Sequence, residues 1–148
     1  MERALAVVEA TETAKALVWE AGELARGVDA ELALVHVTDE EEYAERREAM
    51  EQIPDDAGTY SVGQASDGAR DFAEDIGKEV LGDMDVEFKA VGRVGDKRDR
   101  ILETADRYDC DHVFLTGRKR SPTGKAIFGD TAQQIILDFD GAVTVVTE

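Results

Sequence analysis

Five short apolar runs alternate along this chain with stretches whose apolar residues recur every third or fourth position. No other feature limits the fold as much. A continuous apolar run of this length is a strand buried on both faces, and an amphipathic stretch is a helix able to cover a sheet. Leu5 to Val8 is the first run. Ala14, Leu17, Val18, Ala21, Leu24, Ala25 and Val28 then mark one face of a helix that Gly27 ends. Trp19 falls on the other side of that wheel. It is expected to be half-covered by a neighbouring loop, or else to belong to a partner surface. Leu32 to Val37 is the second run.

Helical spacing returns at Ala69, Phe72, Ala73, Ile76 and Val80. Val86 to Val91 alternates as a third strand, with Gly92 and Gly95 as breakers. Ile101, Leu102, Ala105 and Tyr108 mark the next helix, and Val113 to Thr116 the fourth strand. Phe128, Ala132, Ile135, Ile136 and Phe139 mark the last helix, and Ala142 to Val146 closes the order as a strand. Strands alternating with helices predict an α/β fold: an open, doubly wound, Rossmann-like parallel sheet of five strands with helices on both faces. One domain over 1–148 is expected.

Thr38 to Gln64 interrupts the rhythm with 27 residues that hold nine carboxylates, Asp39 to Asp56. A connection of that length is functional, mobile or partly helical. A short helix within Glu41 to Met50 and a mobile remainder are expected.

Charge excludes several functions. The chain carries 17 bases against 34 acids, a net charge of −17. Nucleic-acid binding rests on Lys and Arg at phosphates, and docking on anionic membrane needs basic segments, so both are disfavoured. No apolar run approaches the roughly 20 residues of a membrane span. The start, Met1-Glu2-Arg3, lacks the features of a secretory signal. Cys110 is the only cysteine, which rules out an internal disulfide and a cysteine-cluster metal site. A soluble cytoplasmic protein is expected. The acids are spread along the whole chain, as in an ordinary acidic bacterial protein or, on the sharper reading, in a cytoplasm of high salt where self-repulsion is screened, such as that of a halophilic archaeon.

In a doubly wound sheet, ligands bind beyond the carboxyl ends of the strands. The loop expected there after the fourth strand, Gly117 to Asp130, stands out. Arg118, Lys119, Arg120 and Lys125 place four of the 17 bases within residues 117–125, beside Gly117, Gly124 and Gly129. Glycines permit close backbone approach, and the loop feeds a helix start, where N–H groups and the dipole favour anions. A phosphate-binding loop is expected, against the plainer reading of a flexible basic loop paired with neighbouring acids. It is not a P-loop: six residues separate Gly117 from Gly124 and Ala126 follows Lys125. No GxGxxG follows the first strand, so a nicotinamide or flavin site is unsupported.

Catalysis and metal binding have little support. His36 and His112 lie in or beside strands with no convincing Ser or Cys partner. Cys110, flanked by Asp109 and Asp111, precedes the fourth strand, at the end away from any ligand. A structural thiol, no catalytic residue and no metal site are expected.

The segment Asp111 to Val146 resembles the C-terminal half of the universal stress protein family. That family has a strand, a Gly-x2-Gly-x9-Gly-Ser/Thr loop, a helix and a Val-rich last strand. The likeness extends through RALAVVE (Arg3 to Glu9), LVHV (Leu34 to Val37), the Val91-Gly-x-x-Gly95 turn and ILETADRYDCDHVFLTG (Ile101 to Gly117). The resemblance implies strand order 3-2-1-4-5 and a homodimer joined through the last strand, here 142–146. Gly141 stands where the family often has Pro. The resemblance also implies a cleft for an anionic small molecule, in some members ATP or another adenine nucleotide, with Mg²⁺ if bound.

Carried over, Glu9 stands where ATP-binding members usually place Asp, with Ala10 beside it. Val37 stands where a backbone group meets adenine, Gly117 is the first loop glycine, and Gly129 precedes the phosphate-contacting hydroxyl. The chain departs from the pattern. Arg120 replaces the second glycine, Gly129 follows Gly117 by twelve positions instead of thirteen, and Asp130 replaces the Ser or Thr. Like charges about 4 Å apart at an effective dielectric near 20 cost ~4 kcal/mol, so Asp130 opposes phosphate unless Mg²⁺, Arg120 or Lys125 neutralises it. Asp130 can instead cap the helix. Gly124 restores backbone freedom, Arg118 adds charge and Thr131 offers a displaced hydroxyl. Two functions compete: a nucleotide-binding regulatory module, and a ligand-independent dimeric stress scaffold acting through protein contacts. A slow hydrolase using Asp130 to hold Mg²⁺ is a weaker third.

Overall fold

The computed structural model describes residues 1–52, 60–117 and 129–147. The element order is β1 (Arg3–Val7), α1 (Thr13–Gly27), β2 (Glu31–Thr38), α2 (Glu40–Glu51), α3 (Val62–Leu81), β3 (Lys89–Val94), α4 (Lys97–Arg107), β4 (His112–Gly117), α5 (Asp130–Asp138) and β5 (Ala142–Thr147). The strands form one parallel sheet in the order β3-β2-β1-β4-β5. This is the α/β, Rossmann-like arrangement with strand order 3-2-1-4-5.

The strand period of two sorts the core into two layers. Ala4, Ala6 and Val8 of the first strand and its end, with Leu32, Leu34 and Phe114, pack with Leu17 and Val18 of α1 and Leu81 of α3. Leu5, Val7, Ala33, Val35, Val113 and Leu115 face the other way, onto Ile101 of α4 and Ile135 of α5. Leu5, Leu17, Phe114, Ile101 and Ile135 are fully buried. Each contributes about 1.5–3 kcal/mol of apolar burial.

Three differences from the sequence reading have physical causes. β3 runs over Lys89–Val94, three residues later than the apolar alternation implied. Val86 and Phe88 are apolar because they pack, partly buried, against the α1/α3 layer ahead of the strand. Gly92 is a strand residue and not a breaker. A Cβ there would lie 2.0 Å from the Ser66 carbonyl oxygen and 2.3 Å from the Arg70 amide nitrogen, so glycine lets α3 lie directly on the edge strand. Leu24 of α1 and Val28 just after it are exposed, because the sheet covers only the narrower stripe Ala14, Leu17, Val18, Ala21 and Ala25. Trp19 is about half-covered, with 47% of its surface exposed.

The long acidic connection is mostly helical. Glu40–Glu51 forms α2, whose N-cap Asp39 accepts a hydrogen bond from the Glu42 N–H at 2.8 Å. α2 has no buried residue, as its three acids in the first turn and its polar faces require. Residues 53–59 of the expected mobile remainder lie outside the described residues, whereas α3 already starts at Val62, behind a capping box of Ser61 and Gln64.

Candidate functional site

β1 is followed in sequence by β2 on one side of it and flanked by β4 on the other, so the chain order reverses between β1 and β4. Loops diverge at such a point and leave a crevice beyond the strands' carboxyl ends. A cleft of about 240 Å³ lies there, lined by Glu9, Thr11 and Thr13 from the β1 side, Lys97 from α4, and Gly117 and Gly129 to Thr131 from the β4 side.

The helices around the cleft differ in how their first turns are satisfied. α2, α3 and α4 each have a side-chain cap, from Asp39, Ser61 and Asp96. At α1 and α5 the N-cap residue supplies none: the Glu12 side chain accepts no bond from the first turn, and Gly129 has no side chain. The starts of both these helices line the cleft, together with Lys97 at the capped start of α4. The first N–H groups of a helix lack intrahelical partners, and they carry a partial positive charge. Gly129 makes the α5 entry possible, since its φ of 79° and ψ of 157° fall in a region open essentially to glycine alone.

Of the residues singled out in the sequence, Glu9, Gly117, Gly129, Asp130 and Thr131 line the cleft together. Ala10 is exposed and is not part of the cleft wall. The Val37 side chain is buried in the α4/α5 layer, so only its backbone is available; it lies two residues past Val35, where the β1–β2 register ends. Arg118, Arg120, Gly124 and Lys125 lie outside the described residues. Asp130 is the first residue of α5 and not its cap, so its carboxylate is exposed beside the cleft.

Lys97 was not among the sequence candidates. It is the first residue of α4, and its ammonium donates to Glu9 Oε2 at 3.2 Å, with both side chains about three-quarters covered. Its only sequence signal was a cation at a helix start, where the dipole disfavours one.

The other titratable groups are held by structure. His36 Nδ1–H donates to the Val8 carbonyl at 2.6 Å, with the ring against Phe72, and so ties β2 to the end of β1. His112 bonds Thr144 Oγ1 at 2.7 Å and stacks on Phe114; burial lowers its pKa. Burial, with Asp111 adding, pushes the Cys110 thiol up to about 11, so it is not a thiolate near neutrality. Among the described residues, no group of three His, Cys, Asp or Glu side chains could hold a metal ion, and no helix is long and apolar enough to cross a membrane.

The sequence matches the universal stress protein family over residues 1–147, and the chain belongs to that family. Among solved structures it is similar to a universal stress protein from Archaeoglobus fulgidus, at 24% identity and a TM-score of 0.63, over 98% of this chain and 97% of that one. It is also similar to a universal stress protein from Archaeoglobus fulgidus in complex with dAMP, at 18% identity and 0.57, over 98% and 96%. A third is a family protein from Arabidopsis thaliana with AMP bound, at 14% identity and 0.61, over 100% and 92%. At these identities the likeness establishes the fold. No curated protein matches the sequence.

Proposed function

We propose that this member of the universal stress protein family is a regulatory module that takes an adenine nucleotide, ATP or AMP, in the cleft between β1 and β4. The observation that carries this reading is the pair of helix starts, α1 and α5, that open on the cleft without side-chain caps. Such N–H groups bind phosphate well. The ligand class comes from the relatives solved with dAMP and AMP. Glu9 and Asp130 oppose an anion; Lys97 offsets the first. Mg²⁺ arriving with the nucleotide, or the cations Arg118, Arg120 and Lys125 in the sequence, would offset the second. Gly117 and Gly129 leave room for phosphate, Thr131 offers a hydroxyl, and Val37 meets adenine through its backbone. The role is binding, not turnover.

The test is direct. Protein purified in molar KCl is denatured and the released small molecules are identified; Mg-ATP and AMP are then titrated calorimetrically in the same buffer. Adenine nucleotide released, or bound at micromolar affinity, is expected. The absence of both released nucleotide and binding heat would overturn the reading.

A second role is compatible with the first. β5 ends the sheet order, and Val143, Val145 and Val146 on it are only half-buried. Such an edge invites pairing with a second copy across a two-fold axis. A dimer mass at micromolar concentration is expected in high salt, and a monomer would remove it. The net charge of −17 supports a cytoplasm of high salt, as in a halophilic archaeon. Melting temperature should then climb steeply up to molar KCl; a flat profile would count against it.

A further inference from the structure

We propose that Lys97 sets the preference of this cleft for anionic over neutral ligands, by leaving Glu9 for the negative group of the entering molecule. The proposal rests on the nucleotide reading above and assigns within it a residue that the sequence pattern did not mark.

Lys97 is oddly placed for a helix. It is the first residue of α4, where the dipole disfavours a cation, and the acids expected there are already supplied by the cap Asp96 and by Asp99. Helix stability therefore gives no reason for a lysine here. The cleft does. Glu9, Asp130 and Lys97 are the charged side chains among the described residues of its wall, so Lys97 is the one cation facing two carboxylates. It reaches Glu9 across 88 residues of sequence.

The pair also differs from the other lysine ion pairs of the described residues. Lys15–Glu79 and Lys78–Glu74 keep 43–68% of their side chains in water, whereas Lys97 and Glu9 keep 26% and 28%. A charge so covered is costly to leave unpaired, so each partner holds the other until a better one enters. The lysine stem has four rotatable carbons and can turn its ammonium from Glu9 to an anion in the same cavity without moving α4. Glu9 is then open to a donor on the ligand. Without Lys97, an incoming phosphate would meet Glu9 and Asp130 with no cation from the described residues of the wall beside them, while a neutral ligand would meet the same space.

The test compares AMP with adenosine on the wild-type chain, Lys97→Gln and Lys97→Arg, by calorimetry at one fixed salt concentration, with circular dichroism to check folding. Lys97→Gln should weaken AMP by about 10- to 100-fold, the range of a lost charge-assisted hydrogen bond, and change adenosine by less than about twofold. Lys97→Arg should keep AMP binding. A purely structural strut would weaken both ligands alike in Lys97→Gln, and that result would overturn the proposal, as would an unchanged AMP affinity. If the wild-type chain binds neither ligand, the nucleotide reading fails along with it. If the wild-type chain binds AMP and Lys97→Gln does not discriminate, only this proposal fails.

Discussion

The groove at the amino ends of the strands encloses about 850 Å³, and the cleft at their carboxyl ends about 240 Å³. The larger hollow is satisfied from within. Arg3 pairs with Glu31 at 2.8 Å, Lys89 lies 5.0 Å from the centre of the Tyr108 ring, and Arg26 donates to the Met84 carbonyl at 3.1 Å. Asp29, Asp85 and Asp109 sit on its rim with φ of 57°, 56° and 52°, each turning the chain out of a helix toward a strand. This end therefore collects helix C-termini, whose partial charge is negative, and adds carboxylates to them. The smaller hollow collects the starts of α1, α4 and α5, two of them without side-chain caps. The contrast teaches that the direction of the helices, and not the size of a hollow, decides which end offers N–H groups and which offers carbonyls. Every crossover in a parallel sheet repeats that direction, so the two ends are unlike throughout.

Gly129→Ala attacks the carboxyl end and should have the largest effect. Alanine at that φ and ψ stores about 1–3 kcal/mol of strain, so the unfolding free energy from urea denaturation should fall by that amount and AMP binding by tenfold or more. Unchanged AMP affinity would move the anion site away from α5. Tyr108→Ala attacks the amino end. Removing a half-buried aromatic should cost about 1–2 kcal/mol, below the cost for a fully buried one, while AMP affinity stays within about twofold. A larger change in affinity would break the division between the two ends.

The smallest effect is on pH dependence, also at the amino end. The Asp111 carboxylate accepts the Glu2 N–H at 2.9 Å and the Arg3 N–H at 3.3 Å. These bonds, chiefly the one from Glu2, hold its pKa below the usual 3.8. Because the folded value is the lower one, this stabilisation is complete above about pH 4 and is lost as pH falls through the folded value. Asp111→Asn should lower stability at pH 7, and the gap to wild type should close as pH drops below about 4. Parallel acid-denaturation curves would remove Asp111 from this role.

Much of the fold was legible because a parallel sheet buries its strands on both faces, which writes them as apolar runs. Leu32 to Val37 lies within β2, and Ala142 to Val146 within β5. The third strand was misplaced because sequence cannot distinguish an alternation that pairs from one that packs ahead of the strand, as Val86 and Phe88 do. Gly92 misled for a related reason: its missing side chain makes room for a helix backbone, a contact that is local only in space. The cleft was half legible. Gly117, Gly129 and Asp130 stood out as a pattern of glycine and charge, whereas Lys97 read as one more charged residue on a helix.

The sequence by itself determined the alternation of strands and helices, the charge that disfavours polyanionic partners, and the loop that belongs beyond the fourth strand. Those properties depend on side chains near one another along the chain. Only the tertiary structure decided that Glu9 meets Lys97, that Asp130 leaves α5 uncapped, and that α1 and α5 start at the same cleft. Each depends on how the crossovers bring distant segments to one end of the sheet, and no local pattern of residues records that distance.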